Sequence, residues 1–452
     1  MTRTSTLALA ILLLLFAGCA EPDVRTPPAA PPRESLPYDT LPLDTSSVVT
    51  FAVASDLHLL SPRIVESRLS PGLAAYRQGE RKMVLQGPAL LHALLDSIRS
   101  RRPTFFLVTG DLTKDGELAS HEDMADSLQT LVDAGIRVVV IPGNHDVASG
   151  NATAYTANSY FATSTVTAST FARLYRSFGY GAALSRDTAS LSYVVDVAKG
   201  LRIVALDACA YRDNAFGSTS SVWGALMPST QEWLWAQLER ARRDGVDLIG
   251  AIHFNMVEHF EDEANSVISS GYMLSDFQEV GRKMAERGLH VVFTGHFHAN
   301  DVATAQRGSS LLTDIETGSL ITPPNRFRTG RIVDGMLTLE GRRIREIDDE
   351  GLGDTDLVVY ADSFLYRGLH YRTTSILSSF GLPDTEISRH APLVTRAWMA
   401  HYAGDEPWPL PQETQGRIRA WDSIGRPGAA RFLRMLATDL PPGDLNTTIS
   451  LR

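Results

Sequence analysis

At 452 residues and 44% apolar composition the chain is long enough to bury a large core and, on length alone, to form two or three domains, which excludes disorder throughout. A formal net charge of -10 and a pI near 5.7 give no basic footprint for nucleic acid, so no bulk nucleic-acid binding is expected. A metal site would add positive charge that this count omits.

The first residues have the shape of an export signal: Arg3, an apolar run from Leu7 to Phe16, then Ala17, Gly18 and Cys19. The run is too short to stay in a bilayer as a spanning helix. Small residues before a cysteine resemble the bacterial lipobox, with Phe16 where that pattern most often has Leu. The resemblance implies a signal peptide over 1–18 and a lipid on Cys19; the alternative is an ordinary signal peptide with a chance cysteine. With Ala20 rather than Asp after the cysteine, the pattern resembles the outer-membrane sorting class. The expected location is therefore the bacterial cell envelope, at the periplasmic face of the outer membrane or at the cell surface. Cys209, the other thiol, then has no intramolecular partner, and no disulfide framework is expected. Residues 19–47, with Pro27, Pro28, Pro31 and Pro32, read as an extended tether.

Beyond the tether, apolar runs that read as buried strands alternate with helical patterns. Phe51 to Ser55, Phe105 to Thr109 and Val138 to Ile141 each end in a polar cluster, and further strands are expected at Ser192 to Val197, Leu201 to Leu206, Leu248 to Ile252 and Val291 to Thr294. Leu90, Leu91, Leu94, Leu95 and Ile98 recur at helical spacing, and Ser229 with Glu232 fits a capping box opening the helix of Leu234, Leu238 and Ala241. Leu311 to about Ile344 looks strand-rich with Gly-containing turns. The acidic, glycine-interrupted stretch from Glu346 to Asp356 marks a domain boundary, leaving one domain over 48–345 and a linker with a helical C-terminal domain over 346–452. There Pro392 is expected near the start of a helix through Val394, Trp398 and Tyr402 that stops at Gly404. Other helices are expected around Ile418 and Trp421 and around Phe432, Leu433 and Leu436.

Five polar clusters stand where apolar runs end: Asp56-Leu57-His58, Gly110-Asp111, Gly143-Asn144-His145-Asp146, His253, and Gly295-His296-Phe297-His298. Singly, each is weak, since a buried histidine is usually just hydrogen-bonded and an aspartate after a strand is commonly a helix cap. In this order they resemble the calcineurin-like metallophosphoesterase family, whose pattern runs DxH, GD, GNHD, H and GHxH, over roughly Val53 to Arg328.

The resemblance implies an α/β fold, a four-layer α/β/β/α sandwich of two mixed sheets flanked by helices, here followed by a small all-α C-terminal domain. It also implies two divalent metal ions, for which oxygen and imidazole donors without thiolate suit Mn, Fe, Zn, Co or Mg. Asp56, His58 and His298 would hold one ion, Asn144, His253 and His296 the other, and Asp111 would bridge them. Ions so paired activate a water and clamp a phosphoryl group for in-line attack by hydroxide. His145 would contact the phosphoryl oxygen or protonate the leaving group, with Asp146 orienting its ring. Gly110, Gly143 and Gly295 would let the backbone approach the ions closely.

Gly110 to Thr113 with Gly116, Glu117 and His121 narrows the resemblance to the class III cyclic-nucleotide phosphodiesterase branch, as do Leu191-Ser192-Tyr193, Leu206-Asp207 and Thr317-Gly318-Ser319, although these last features serve equally as scaffold. Where members of the family often have two adjacent histidines, this chain has His253-Phe254-Asn255; Asn255 and His259 are candidates for substrate contact or for a loop-surface role. The implied partner is a small phosphoester, and an envelope location argues against a cytoplasmic signalling substrate. A phosphomonoesterase on the same core and a non-catalytic surface binding lipoprotein are the alternatives. Trp398, Tyr402 and Trp421 are expected in the core, with a homodimer contact or a substrate lid as alternatives.

Overall fold

Short apolar runs that read through without polar interruption are buried on both faces when they pair in parallel, and that is how the runs of this chain pair. The computed structural model describes residues 41–214, 219–260, 263–266, 270–406 and 410–452. Cys19, the apolar run before it and most of the proline-rich stretch lie outside the described residues, among which no helix is long and apolar enough to cross a membrane.

The order begins with β1 (Val48–Ala54), α1 (Pro71–Tyr76), α2 (Gly87–Arg101), β2 (Phe105–Val108), α3 (Leu118–Asp133) and β3 (Arg137–Val140). A small hairpin of β4 (Thr153–Tyr155) and β5 (Tyr160–Ala162), then α4 (Ala168–Leu174), leads to β6 (Ser185–Arg186), β7 (Tyr193–Ala198) and β8 (Leu201–Leu206). Next come α5 (Pro228–Asp244), β9 (Asp247–Ile252), α6 (Phe277–Ala285) and β10 (Val291–Thr294). Four strands follow: β11 (Asp301–Arg307), β12 (Ser310–Glu316), β13 (Arg326–Val333) and β14 (Met336–Arg343). The remainder is α7 (Leu357–Ser379), α8 (Asp384–Ala403), α9 (Gln412–Ser423), α10 (Pro427–Ala437) and β15 (Asn446–Ser450).

Two mixed sheets result, ordered β15-β14-β13-β1-β2-β3 and β11-β12-β10-β9-β8-β7-β6. β1, β2 and β3 are mutually parallel, as are β8, β9, β10 and β12. The second sheet shows the period of 2 that sorts side chains between faces: Ile203, Ala205, Ile249 and Phe293 pack toward the first sheet, while Val204, Leu206, Ile252 and Val292 pack toward α5 and α6. Phe51 of β1 meets Phe293 of β10 edge to face, with ring centroids 5.8 Å apart, across the space between the sheets. With α2 and α3 over the first sheet and α5 and α6 over the second, the α/β/β/α layering is as expected. β13 and β14 are joined by Asp334-Gly335, both at positive φ, a two-residue turn matched to strand twist.

Three local expectations are corrected. The Ser229–Glu232 capping box does not form: Pro228 takes the first helical position of α5, Met227 stands at the cap and no side chain caps it, which places Ser229 inside the helix. Pro392 lies in the interior of α8, where buried Ala391, Val394 and Trp398 outweigh the missing N–H; the helix begins at Asp384 and ends at Gly404 in the left-handed conformation. The C-terminal remainder is not wholly helical, since β15 returns to pair antiparallel with β14.

The helices after Asp356 enclose an apolar cluster that includes Leu365, Trp398, Tyr402, Trp421 and Leu433, and Phe260 and Phe297 of the two-sheet body enter the same cluster. Trp398, Tyr402 and Trp421 are buried, so they belong to this core rather than to a lid or dimer surface. Residues 41–47, at the end of the expected tether, are tied to the body: Asp44 accepts from Thr104 Oγ1 at 2.8 Å, and Arg137 donates to the Leu41 carbonyl at 2.6 Å. Leu433→Ala should lower unfolding free energy by about 2–5 kcal/mol in urea denaturation. A loss under about 1 kcal/mol, with the transition otherwise unchanged, would show that this cluster does not unfold cooperatively with the sheets.

Candidate metal centre

Parallel strands put their carboxyl ends on one edge, and the polar clusters follow those ends directly: Asp56 and His58 after β1, Asp111 after β2, Asn144 and His145 after β3, His253 after β9, and His296 and His298 after β10. The chain must turn at once in each case. Asp56, His58, Asp111, His296 and His298 all do so at φ between 39° and 75°, a left-handed region that non-glycine residues seldom occupy and that marks functional sites. Gly143 and Gly295 make the crossing possible. A Cβ on Gly143 would collide with the nitrogen and Oδ1 of Asp111, and one on Gly295 with Ser55 Oγ and Asp56 Oδ2.

Two groups of donor atoms result, each lying within 4.8 Å of one another: Asp56, His58 and His298, and Asp111, His253 and His296. His58 Nε2 and His298 Nε2 stand 3.3 Å apart, and Asp56 Oδ1 lies 3.2 Å from His298 Nε2 and 3.7 Å from His58 Nε2 with no hydrogen bond of its own. Asp111 Oδ2 lies between the groups, 3.5 Å from His58 Nε2 and 3.4 Å from His253 Nε2, while its Oδ1 accepts from the His145 backbone at 2.9 Å. Asn144 faces the second group, its Oδ1 3.2 Å from His253 Nε2. A buried oxygen without a donor amid converging ring nitrogens fits a cation rather than a closed hydrogen-bond network.

Outer partners set the rings. His253 Nδ1 faces the Thr109 carbonyl at 2.8 Å, His298 Nδ1 faces Thr322 Oγ1 at 2.9 Å, and His296 Nε2 faces the Val222 carbonyl at 3.1 Å, so each ring leaves its other nitrogen for a cation. Burial lowers the pKa of His58 far below its usual value, takes His296 down to about 3 and also lowers His298, which keeps these imidazoles neutral. Burial acts against the charge of Asp111 too, yet His253, His145 and His58 hold its carboxyl well below the ordinary range. Burial likewise opposes protonation of His253, but Asp111 and Asp56 raise it to about 9.

His145 alone among these rings is open, at 23% side-chain exposure. The carboxylate on its Nδ1 is Asp115, at 2.7 Å, and not Asp146. Asp146 instead accepts from the backbone nitrogens of Gly143 at 2.8 Å, Thr113 at 3.0 Å and Leu112 at 3.1 Å, and so braces the loop after β2 against the loop after β3. Adjacency in sequence misled here: the Asp146 carboxylate folds onto main chain, whereas Asp115 reaches the ring from the neighbouring strand end. Asp115 pairs with buried Lys114, which outweighs its own burial and keeps it ionised. Burial disfavours charge on His145, but Asp111 and Asp115 raise its pKa.

Other sequence candidates move. Asn255 is buried and donates to Thr294 Oγ1 and Glu316 Oε2, and His259 is buried facing Asp301 and Asp314, so neither reaches a substrate. Phe254 packs behind the ligand side, 4.7 Å from the His296 ring. His121, Ser192 and Asp207 are scaffold, bonded to the Asp146 carbonyl, the Asp207 nitrogen and the Leu191 nitrogen respectively. Ser319 belongs to the same frame, donating to the Asp56 carbonyl at 2.8 Å.

Two residues were not foreseen. Asp115 is one. Lys82 is the other: it is 9% exposed, its ammonium has no hydrogen-bond or ion-pair partner among the described residues, and its charge acts on His58, His145 and His298. Met83, beside it, donates to the Ile321 carbonyl at 2.7 Å and holds the segment next to Thr322. A lone lysine far from every motif carries no signal in sequence, whereas the charged pair Lys114-Asp115, two residues past Gly110-Asp111, is a signal that could have pointed to Asp115.

The family described as calcineurin-like phosphoesterase matches residues 49–300, more than half of the chain. Among solved structures, a dimetal phosphatase from Danio rerio is similar at 15% identity, covering 65% of this chain and 96% of its own, with a TM-score of 0.42. A purple acid phosphatase from yellow lupin (Lupinus luteus) seeds is similar at 12% identity, covering 68% and 53%, with a TM-score of 0.40. GAP50, the anchor in the inner membrane complex of Plasmodium, is similar at 10% identity, covering 71% and 94%, with a TM-score of 0.34. Likenesses of that order carry no functional weight. A search of curated proteins finds no match.

Asp115→Asn should cost about 10- to 100-fold in turnover, the usual price of an outer partner, while metal content and melting temperature hold. Asp146→Asn should instead lower the melting temperature. Equal thermal losses in both variants would refute this division of roles.

Proposed function

We propose that this chain, which belongs to the calcineurin-like phosphoesterase family and is a metal-dependent phosphoester hydrolase with a site for two divalent metal ions, is a phosphodiesterase acting on small phosphodiesters, cyclic nucleotides among them, outside the cytoplasm. Asp56, His58 and His298 would hold one ion and Asn144, His253 and His296 the other, with Asp111, whose Oδ2 lies between the two groups, shared by both. Ions bound there would supply Lewis-acid polarisation of a phosphoryl oxygen and would acidify a water toward neutral pH.

The observation that carries the diesterase reading is the setting of His145, an open imidazole at the rim of a buried cluster, aligned through Nδ1 by an ionised carboxylate. Ester cleavage expels an alkoxide, and His145 Nε2 gives it a proton; Asp115 keeps the ring turned for that transfer. Lys82 binds a non-bridging phosphoryl oxygen as a point charge. A diester carries one negative charge where a monoester carries nearly two, and Lys82 is the buried ammonium beside the cluster that lacks a partner among the described residues. Exposed Val222 and Trp223, with Tyr272 4.7 Å from the His296 ring, offer apolar surface for the second ester arm.

The stretch Gly110 to Thr113 with Gly116 and Glu117 supports the cyclic-nucleotide branch, and the apolar run ending at Cys19 supports a lipid anchor in the cell envelope. Together they favour cyclic 2',3'-nucleotides, nucleotides or head-group diesters met outside the inner membrane over a signalling pool.

Reconstituted protein should hydrolyse bis-(p-nitrophenyl) phosphate faster than the mono-ester. Chelation or Asp111→Asn should abolish both activities, and Lys82→Met should lower kcat/KM by about 10- to 100-fold, as for a charge-assisted contact of about 1.5–3 kcal/mol. A faster mono-ester would transfer the reading to a phosphomonoesterase. Cys19→Ser should move the protein from the membrane to the soluble fraction; unchanged membrane association would remove the lipid anchor.

A further inference from the structure

Behind the His296-Phe297-His298 loop, on the side away from the site just described, a second group of buried donors closes around Asp301, His401 and Glu406. Asp301 opens β11, His401 lies in the last turn of α8, and Glu406 follows that helix. One ligand-capable atom from each lies within 4.8 Å of the others. The side chains of His401 and Glu406 are 1% and 2% exposed, and that of Asp301 is 4% exposed.

This group is more than an acidic patch, because its polar atoms are left over. Asp301 Oδ1, His401 Nε2 and Glu406 Oε2 are all buried without a hydrogen-bond partner. His401 Nδ1 meets Glu406 Oε1 at 2.6 Å, which fixes the ring and leaves its other nitrogen free. His259 Nδ1 comes within 3.0 Å of Asp301 Oδ1 as an ion pair, but outside hydrogen-bond geometry, so the oxygen stays unsatisfied.

His259 and His401, whose protonation the carboxylates they face favour against burial, compensate part of the charge. Arg328, fully buried alongside, spends its guanidinium on main-chain carbonyls: that of Glu316 at 2.6 Å, that of Asp301 at 3.4 Å and that of Asp444. Burial, and after it the charge of Asp301, pushes the carboxyl of Asp444 up to about 9 and that of Asp439 up to about 6, so the negative charge gathered here is undercompensated. Burying a carboxylate without full compensation is costly, and such groups as a rule pair or coordinate a metal.

We propose that Asp301, His401 and Glu406 form a third divalent-cation site, suited to a zinc-class ion by its two carboxylates and one imidazole, which fastens the end of α8 to the start of β11. The ion is structural, and the proposal stands whether or not the substrate is a phosphodiester. It links the C-terminal helices to the loop that carries His296 and His298, with the Phe297 ring 5.4 Å from that of His401. Because the unfolded chain has no such cage, binding there adds to folding stability.

The test is a zinc count on the full chain, stripped with a chelator and reconstituted at saturating zinc, with manganese run in parallel. Three equivalents per chain are expected, falling to two in His401→Gln and in Glu406→Gln, with a lowered melting temperature in both variants. Diffraction at the zinc absorption edge from wild-type crystals should place an anomalous peak between the three side chains, and this decides the matter if the variants do not fold. Two equivalents at saturation, a third that persists in the double variant, or no anomalous peak among these residues would overturn the proposal.

Discussion

Everything at the centre depends on strand ends that stop together. β1, β2 and β3 on one side and β9 and β10 on the other deliver their polar residues to one edge, where there is room for side chains only if the backbone turns immediately. Asp56, His58, Asp111, His296 and His298 take the left-handed region to do it, at about 1–3 kcal/mol each. Such strain persists only where the surroundings over-determine it. Here they do: Gly143 and Gly295 remove the side chains that would block the turn, Asp146 ties two of the loops through three backbone N–H groups, and Ser319 holds the Asp56 carbonyl. The donor positions are therefore fixed by contacts within the chain itself.

Burial then divides identical side chains into different chemical tools. His58, His296 and His298 stay neutral because the dry interior penalises their charge more than nearby carboxylates repay it. His253 goes the other way, since Asp111 and Asp56 face it, and a dication bound there would take the place of a proton. On His145, Asp111 and Asp115 favour the proton and the ring remains open to solvent, a setting that would suit a proton donor better than a metal ligand.

The sequence was most legible where function repeats a spacing. Five polar clusters at the ends of apolar runs were enough to bring together Asp56, His58, Asp111, His253, His296 and His298, because strand ends are marked by the loss of apolar residues. The strands themselves followed from β-branched and aromatic runs; Val291–Thr294 and Leu201–Leu206 match to the residue. What failed was whatever depends on a partner distant in sequence. Nothing local says that Asp115 rather than Asp146 meets His145, that Lys82 arrives beside the centre, or that Asn446–Ser450 crosses back to β14. Asn255 and His259 looked available because they follow a ligand position, yet buried carboxylates 42 to 61 positions along the chain claim them.

The His296-Phe297-His298 loop faces two ways, and this joins the helical region to the chemistry. Its two histidines enter the donor groups, while Phe297 enters the apolar cluster of α7, α8, α9 and α10 together with Phe260. Three residues on, Asp301 sits in a second buried polar cluster with His401 of α8. A shift of α8 relative to β11 therefore acts on Phe297 and, through one peptide unit on either side, on His296 and His298, whose left-handed backbone has little room to absorb it. The C-terminal helices are in this way the back wall of the metal centre, and packing against Phe297 ties their stability to the placement of its ligands.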